Sequence, residues 1–404
     1  MRLKCNTLNF KKCILILLIG IIPMISTGCW NRRELNTMGI VGTMGLDVEG
    51  NKIKVTLEVM KPAAGKAGSK AEGAAATTVS YVQSTGDSVF DALRNVTTKY
   101  DRKLFLSHIR FYVFGEEAAR KGLLNYLDWY QRDHEPRRTG YIVIVKGSTA
   151  ENIMGVNGGI EPTSTDYLEK IINIKGASGK VLGVSVMEFL KSYYGSGIQP
   201  VTGIITKVPK IQIQSKNEAI SPSEISAEGT AVFLEGKLLG FLTGNETKGL
   251  NFVTNKIKSG IITFRLSEEN SFTSIEILKS KTKNSVELND HGVKLGVEVN
   301  INGMLGEENV RINLKSEEAI KNLERLAANK VKKDIESSLR KVQREYKSDI
   351  FGFGQIVHGK YPDKWRKIKN NWDEEFSKAE VDVNVNCKII RTGLVDLPVE
   401  VKEE

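Results

Sequence analysis

The apolar run CILILLIGIIPMI, from Cys13 to Ile25, is 13 residues long and stops just short of Gly28-Cys29. A membrane-spanning helix needs about 20 apolar residues, and Gly20 and Pro23 weaken this run further. Arg2, Lys4, Lys11 and Lys12 stand upstream or at its edge, with no acid among them. A basic head, a short apolar stretch and small residues before a break make a secretory signal peptide. Ser26-Thr27-Gly28-Cys29 then fits a lipobox, although Ser26 stands where Leu is commonest. Cys29 is therefore expected to carry a diacylglycerol on its thiol and to become the first residue of the exported chain. Two acyl chains make a stable anchor where one is marginal. An uncleaved anchor helix and an ordinary signal peptide are the competing readings. The Gly-Cys pair at the expected cleavage point favours lipidation over both.

Removing residues 1–28 leaves 376 residues, too many for one compact core, so two or three domains are expected. Four basic residues leave with that segment, and the formal net charge falls from +10 to +6. A mildly basic surface of mixed sign suits anionic lipid or wall polymer and does not argue for nucleic acid. Cys5 and Cys13 leave as well, and lipid consumes Cys29. Only Cys387 remains, so the mature chain has no intrachain disulfide. In AEVDVNVNCKII the apolar positions alternate with polar ones, and Cys387 falls on the apolar face as a buried, inert thiol.

The rest of the chain reads as mixed α/β. Ile53, Val55, Leu57 and Val59 alternate with Lys54, Thr56 and Glu58 as a strand. The segment PAAGKAGSKAEGAAATT, residues 62–78, has no large apolar residue and is expected to be a mobile loop. A helix from about Ser88 puts Val89, Phe90, Leu93 and Val96 on one side, KLFLSHIRFYVFG is a buried strand, and TGYIVIVKG is another. Two strands flank Glu235-Gly236-Lys237, a hairpin signal. Strands are expected at 261–266, 272–278, 293–301 and 310–314. A long helix follows from Ser316, with a stripe through Ile320, Leu323, Ala327, Val331, Ile335, Leu339, Val342 and Tyr346. The expected fold is α+β, with mixed or antiparallel sheets in three successive domains at 29–195, 196–257 and 258–404. The last is a sheet packed by that amphipathic helix.

Motifs that carry chemistry are missing where they would be needed. GASGK, Gly176 to Lys180, lacks the first glycine of a phosphate loop and has Val181 in place of the magnesium-binding hydroxyl. His108, His134, His291 and His358 are scattered without metal-ligand spacing, and His108 is expected in the core. No catalytic residue, metal ligand or cofactor is expected. RDHEPRR, Arg132 to Arg138, is a solvated loop or a partner-binding turn. After Pro362, a helix puts Trp365, Ile368 and Trp372 on one face, as core anchors. Lys364, Arg366, Lys367 and Lys369 lie on the others, a candidate contact with a partner or a membrane.

The stretches GCWNRREL…GIVGTMGLD, DALRNV…RKLFLSHIRFYVFGEEAARKG, GTAVFLEGKLLGFLTGNETKGL and FGFGQIVHGKYPDKWRKIKNNW…VDVNVNCKIIRTGL follow one another in an order that resembles the Ger(x)C family. That family comprises the lipoprotein C subunits of nutrient germinant receptors in spore-forming bacteria. The resemblance covers essentially the whole chain. It implies three α/β domains on a lipid anchor at the outer face of the spore's inner membrane. It also implies assembly with two integral membrane subunits, A and B, to which nutrient recognition is mainly attributed. Cys29 matches the lipidated cysteine. The runner-up functions are a solute-binding lipoprotein of a transporter and a lipid-anchored cell-wall enzyme.

Overall fold

The computed structural model describes residues 37–60, 79–156, 163–210, 223–266, 271–289, 292–309 and 316–392, with residues 15, 161 and 314 besides. Cys29, the 62–78 segment and most of the strand expected at 310–314 lie outside the described residues.

Strands β1 (Met38–Glu49), β2 (Lys52–Met60), β3 (Val79–Gly86), β4 (Lys103–Phe105), β5 (Phe111–Gly115), β6 (Tyr141–Val145), β7 (Val184–Ser185), β8 (Val201–Pro209), β9 (Ser223–Ser226), β10 (Thr230–Leu234) and β11 (Lys237–Leu242) form one mixed sheet. Its order is β11-β10-β8-β6-β5-β1-β2-β3, with β4, β7 and β9 paired to β1, β6 and β8. Helices α1 (Val89–Val96), α2 (Glu116–Lys121), α3 (Leu124–Arg132), α4 (Ala150–Ile153), α5 (Ser164–Asn173), α6 (Val186–Tyr194) and α7 (Gly244–Val253) accompany it. The central strands are apolar at successive positions because both faces are covered. Phe111, Val113, Val143 and Val145 pack with Ile153 and Leu168 of α4 and α5. Tyr112, Phe114, Ile142 and Ile144 face the opposite side, with Val89, Leu93 and Leu127.

Two-sided burial overturns several expectations. Thr56 and Glu58, the polar positions of β2, are both buried, a placement the alternation alone does not give. The apolar stretch around His108 is not one strand. It breaks into β4, a 3-10 turn at Leu106–His108 and β5, and His108 is exposed, its ring edge-on to Phe105 at 5.2 Å. On α1, Ala92 rather than Phe90 completes the buried face, and Phe90 stays 46% exposed with the Arg94 guanidinium over its ring.

The second sheet has the order β12-β13-β14-β15, from β12 (Ile261–Arg265), β13 (Phe272–Asn289), β14 (Gly292–Glu308) and β15 (Glu380–Arg391). β13 and β14 form a hairpin with strands of 18 and 17 residues, so Lys279–Asn289, unassigned in the pattern, is strand as well. The long helix is α8 (Glu317–Lys341), capped by Ser316, which accepts the Ala319 N–H at 3.3 Å. Leu323, Ala327, Val331, Ile335 and Leu339 are its buried stripe, and a π turn carries the chain through Val342–Tyr346. Cys387 is buried on β15, and burial pushes its thiol pKa up to about 12.

The segment 196–257, expected to stand as its own domain, does not stand apart. β8 pairs parallel with β6, and β10 and β11 continue the first sheet. α7 crosses α8 closely at Gly249, where a Cβ would lie 2.3 Å from the Asp334 carbonyl oxygen. One apolar core runs from the first sheet through this crossing into the second.

Candidate functional site

After the π turn the chain reverses through Lys347 and Gly352, both at positive φ, 47° and 83°. The reversal closes around Asp349, which is fully buried. Its carboxylate accepts N–H bonds from Phe351 at 3.1 Å, Gly352 at 2.9 Å and Gly354 at 2.7 Å, and from Trp372 Nε1 at 2.9 Å. Burial raises its pKa to about 6, held back by those donors. The same turn is pinned to the first sheet. Ser348 Oγ donates to the Phe233 carbonyl of β10 at 2.8 Å, and the Asp349 carbonyl accepts Gln199 N–H at 2.8 Å. Gly354 lies against Gly197 so closely that a Cβ at 354 would sit 2.6 Å from the Gly197 Cα.

Helices α9 (Phe353–Lys360), α10 (Pro362–Ile368) and α11 (Trp372–Lys378) follow. The single helix expected after Pro362 is thus two short ones joined by a 3-10 turn at Lys369–Asn371. Its apolar face survives the break. Trp365 and Trp372 are each 4% exposed and meet edge to face at 5.5 Å, with His358 stacked on Trp365 at 5.7 Å. The other sides are basic. Lys364, Arg366, Lys367 and Lys369 are all exposed. Arg366 pairs with Asp363, and Lys364 Nζ donates to the Leu288 carbonyl at the end of β13, at 3.3 Å. Lys364, Arg366 and Lys367 are thus exposed around α10 and Lys369 in the turn after it, while Trp365 and, across that turn, the Asp349-bonded Trp372 are buried.

Two buried carboxylates escaped the sequence reading. Glu58 accepts Thr165 N–H at 3.1 Å, Thr165 Oγ1 at 2.8 Å and Tyr81 Oη at 3.0 Å, and so docks the start of α5 on β2. Asp47 accepts the N–H groups of Ala150 and Glu151, at 2.7 and 3.0 Å, at the start of α4. The only signal available was a short helix following each Thr N-cap. A cleft of about 430 Å³ lies between the first sheet, α7 and the Asp349 turn, lined by Leu182, Ile198, Gln199, Asn255, Thr282 and Phe351 among others. Among the described residues Lys256 is its one charged lining residue. Among the described residues no group of three or more His, Cys, Asp or Glu is placed to hold a metal, and no helix is long and apolar enough to cross a membrane.

These features define a mixed α/β protein of two sheets on one core, locked by a buried aspartate turn that presents a basic helix outward. Residues 31–207 match the family model described as spore germination protein N-terminal domain, and residues 228–393 match spore germination B3/GerAC like, C-terminal. The chain belongs to the Ger(x)C family of spore germination proteins. It is 26% identical over 400 residues to spore germination protein KC of Bacillus subtilis (strain 168), covering 96% of this chain and 98% of that one. Spore germination protein A3 of the same organism is 25% identical over 386 residues, covering 92% and 96%. The crystal structure of the GerBC protein superposes with a TM-score of 0.56 at 22% identity, over 86% of this chain and 96% of that one, which shows a shared fold.

Proposed function

We propose that this chain is the lipid-anchored C subunit of a nutrient germinant receptor, acting without catalysis beside two integral membrane subunits, A and B. The observation that carries the reading is the end-to-end match to spore germination proteins KC and A3, with a lipobox cysteine directly ahead of the matched region. Cys29 bears the diacylglycerol and holds the protein on the outer face of the spore's inner membrane. The tryptophan-backed basic face, Lys364, Arg366, Lys367 and Lys369, is the contact offered to a membrane subunit. A built inner face with an exposed charged outer face is the arrangement a docking helix needs, because partner binding then costs no refolding.

The test replaces the chromosomal copy with Cys29→Ala. The variant chain is expected to leave the membrane fraction, and spores form but lose the nutrient response that wild-type spores show. Full nutrient germination with the chain off the membrane would overturn the anchor. Copurification of the wild-type chain from spore membranes without any multi-span partner would overturn the subunit reading.

A further inference from the structure

β1 is where the chain enters the fold from the side of Cys29. It starts at Met38, nine residues on, and an extended chain spans at most about 3.3–3.6 Å per residue, so roughly 30 Å is the greatest separation. β1 pairs parallel with β4 and β5, β5 with β6, and β6 with β8. Their entry ends therefore share one edge of the sheet.

Two loops fill part of that edge, one ahead of β4 and one ahead of β6. Ser107 Oγ, in the turn after β4, donates to the Glu135 carbonyl at 2.6 Å, and Thr97 and Lys103 line one pocket with Asp133 and Glu135. Lys99, Lys103, Arg137 and Arg138 are exposed there and Arg102 is half-buried. None of the five is in an ion pair with a described residue. The acids of the same loops are Asp101, which is exposed, and Asp133 and Glu135, which are half-buried. Asp133 is turned inward to the Glu135 N–H at 3.0 Å. The opposite edge differs. It carries Glu49, Asp87, Glu116, Glu117 and Glu151, with Lys54 paired to Glu151, Arg120 to Glu116 and Lys121 to Glu117. At the entry edge Arg110, ahead of β5, is paired with Asp166 and Glu169, whereas the five cations above are not in ion pairs with described residues.

We propose that this entry edge of the large sheet is the face that lies against an anionic phospholipid bilayer, with the five cations above on its phosphate headgroups. The inference rests on Cys29 being the anchor. The tether delivers this edge to the membrane, and unpaired cations gain from a negative surface only within about a Debye length, ~8 Å at physiological salt. The RDHEPRR loop is in this view neither idle nor a protein-docking turn.

The experiment uses the chain starting at Trp30, which carries no lipid, sedimented with phosphatidylcholine vesicles with and without phosphatidylglycerol. Binding is expected only with phosphatidylglycerol, weakening as salt rises. Changing Lys99, Arg102, Lys103, Arg137 and Arg138 to Gln should lower it at least about tenfold, and Lys52→Gln with Lys121→Gln on the opposite edge should leave it unchanged. No binding by the parent chain, equal binding by the five-fold variant, or loss instead in a Lys364, Arg366, Lys367 and Lys369 variant would each overturn the proposal. Mass spectrometry of the chain extracted from membranes reports separately on Cys29. An unmodified thiol there would sink the anchor and leave the vesicle result intact. On the lipidated chain, a fluorophore at Thr139→Cys should be quenched by headgroup-borne quencher more than one at Asn51→Cys, and the reverse order overturns the orientation.

Discussion

In the large sheet, Glu58 of β2 is fully buried and accepts three hydrogen bonds from Thr165 and Tyr81. In the four-stranded sheet, Glu298 of β14 occupies the same kind of alternating position and is exposed. Both strands read apolar-polar in sequence. The difference lies in what covers the second face. Helices α4 and α5 sit on the large sheet, and a helix start needs acceptors for its free N–H groups. Asp47 and Glu58 supply them from the sheet itself. Among the described residues no helix docks on the outer face of β13–β15, and Lys281, Asn300 and Asn386 meet there across the strands instead. Period two thus reveals a strand, but not whether its polar side faces water or a helix terminus.

The largest expected effect lies in the C-terminal region, where apolar packing and one carboxylate share the same residues. Trp372→Ala and Trp365→Ala should each destabilise the protein by about 3–5 kcal/mol in urea unfolding. Trp372→Ala should be the worse of the two, because it also removes a donor from Asp349. Normal melting of both variants would mean the indoles are not core anchors.

Asp349 makes the contrast with the large sheet sharper, because it titrates. Burial raises its pKa from 3.8 to about 6. Between those values the folded state holds a proton that the unfolded state has released. By linkage this group lowers stability as pH rises through that window, and adds no slope above it. Asp349→Asn removes the titration. The gap between wild type and variant should therefore be wider at pH 4.5 than at pH 7, by about 2 kcal/mol. An equal gap at the two pH values would show that the carboxylate is ionised throughout.

A smaller effect separates the two glutamates. Glu58→Gln should cost about 1–3 kcal/mol, since an amide cannot accept from all three buried donors. Glu298→Gln should stay within about 0.5 kcal/mol. Similar costs for the two would erase the distinction between the sheets.

Some of this architecture was legible in the residues. The stripe of α8, its Ser316 cap and the Glu235-Gly236 turn follow from local chemistry, and Glu235 and Gly236 do take positive φ. The burial of Trp365 and Trp372 and the exposure of the cations around them agree with the sequence pattern, although the expected single helix breaks at Lys369–Asn371. Other features depend on partners remote in the chain. Lys279–Asn289 carries too many polar residues to declare itself a strand, and pairing with β14 makes it one. Asp349 is an ordinary acid until FGFG folds back over it. The continuity of 196–257 with the first sheet depends on the β6–β8 pairing, which no local pattern encodes. The basic entry edge could not be seen either, because its two loops are some thirty residues apart and meet only through sheet topology.

The smallest expected effect on stability tests the strongest claim about assembly. Lys364, Arg366, Lys367 and Lys369 are exposed, and of the four only Arg366 forms an ion pair among the described residues. Exposed pairs of this kind contribute little. Changing all four to Gln should therefore move the urea midpoint by less than the equivalent of about 0.5 kcal/mol, with Trp365 and Trp372 still buried behind them. If α10 docks a membrane subunit, the same variant should copurify with that subunit more weakly, and the wild-type association should fall as salt rises. The stability and assembly readouts then separate cleanly: the tryptophan variants lose both, and the Gln variant loses assembly alone. Unchanged, salt-insensitive copurification of the Gln variant would leave α10 as packing for the β13–β14 hairpin and nothing more. Lys364 already caps the Leu288 carbonyl there. That outcome would move the search for a partner-binding surface to the rest of the four-stranded sheet, whose outer face is open from Lys279 to Asn386.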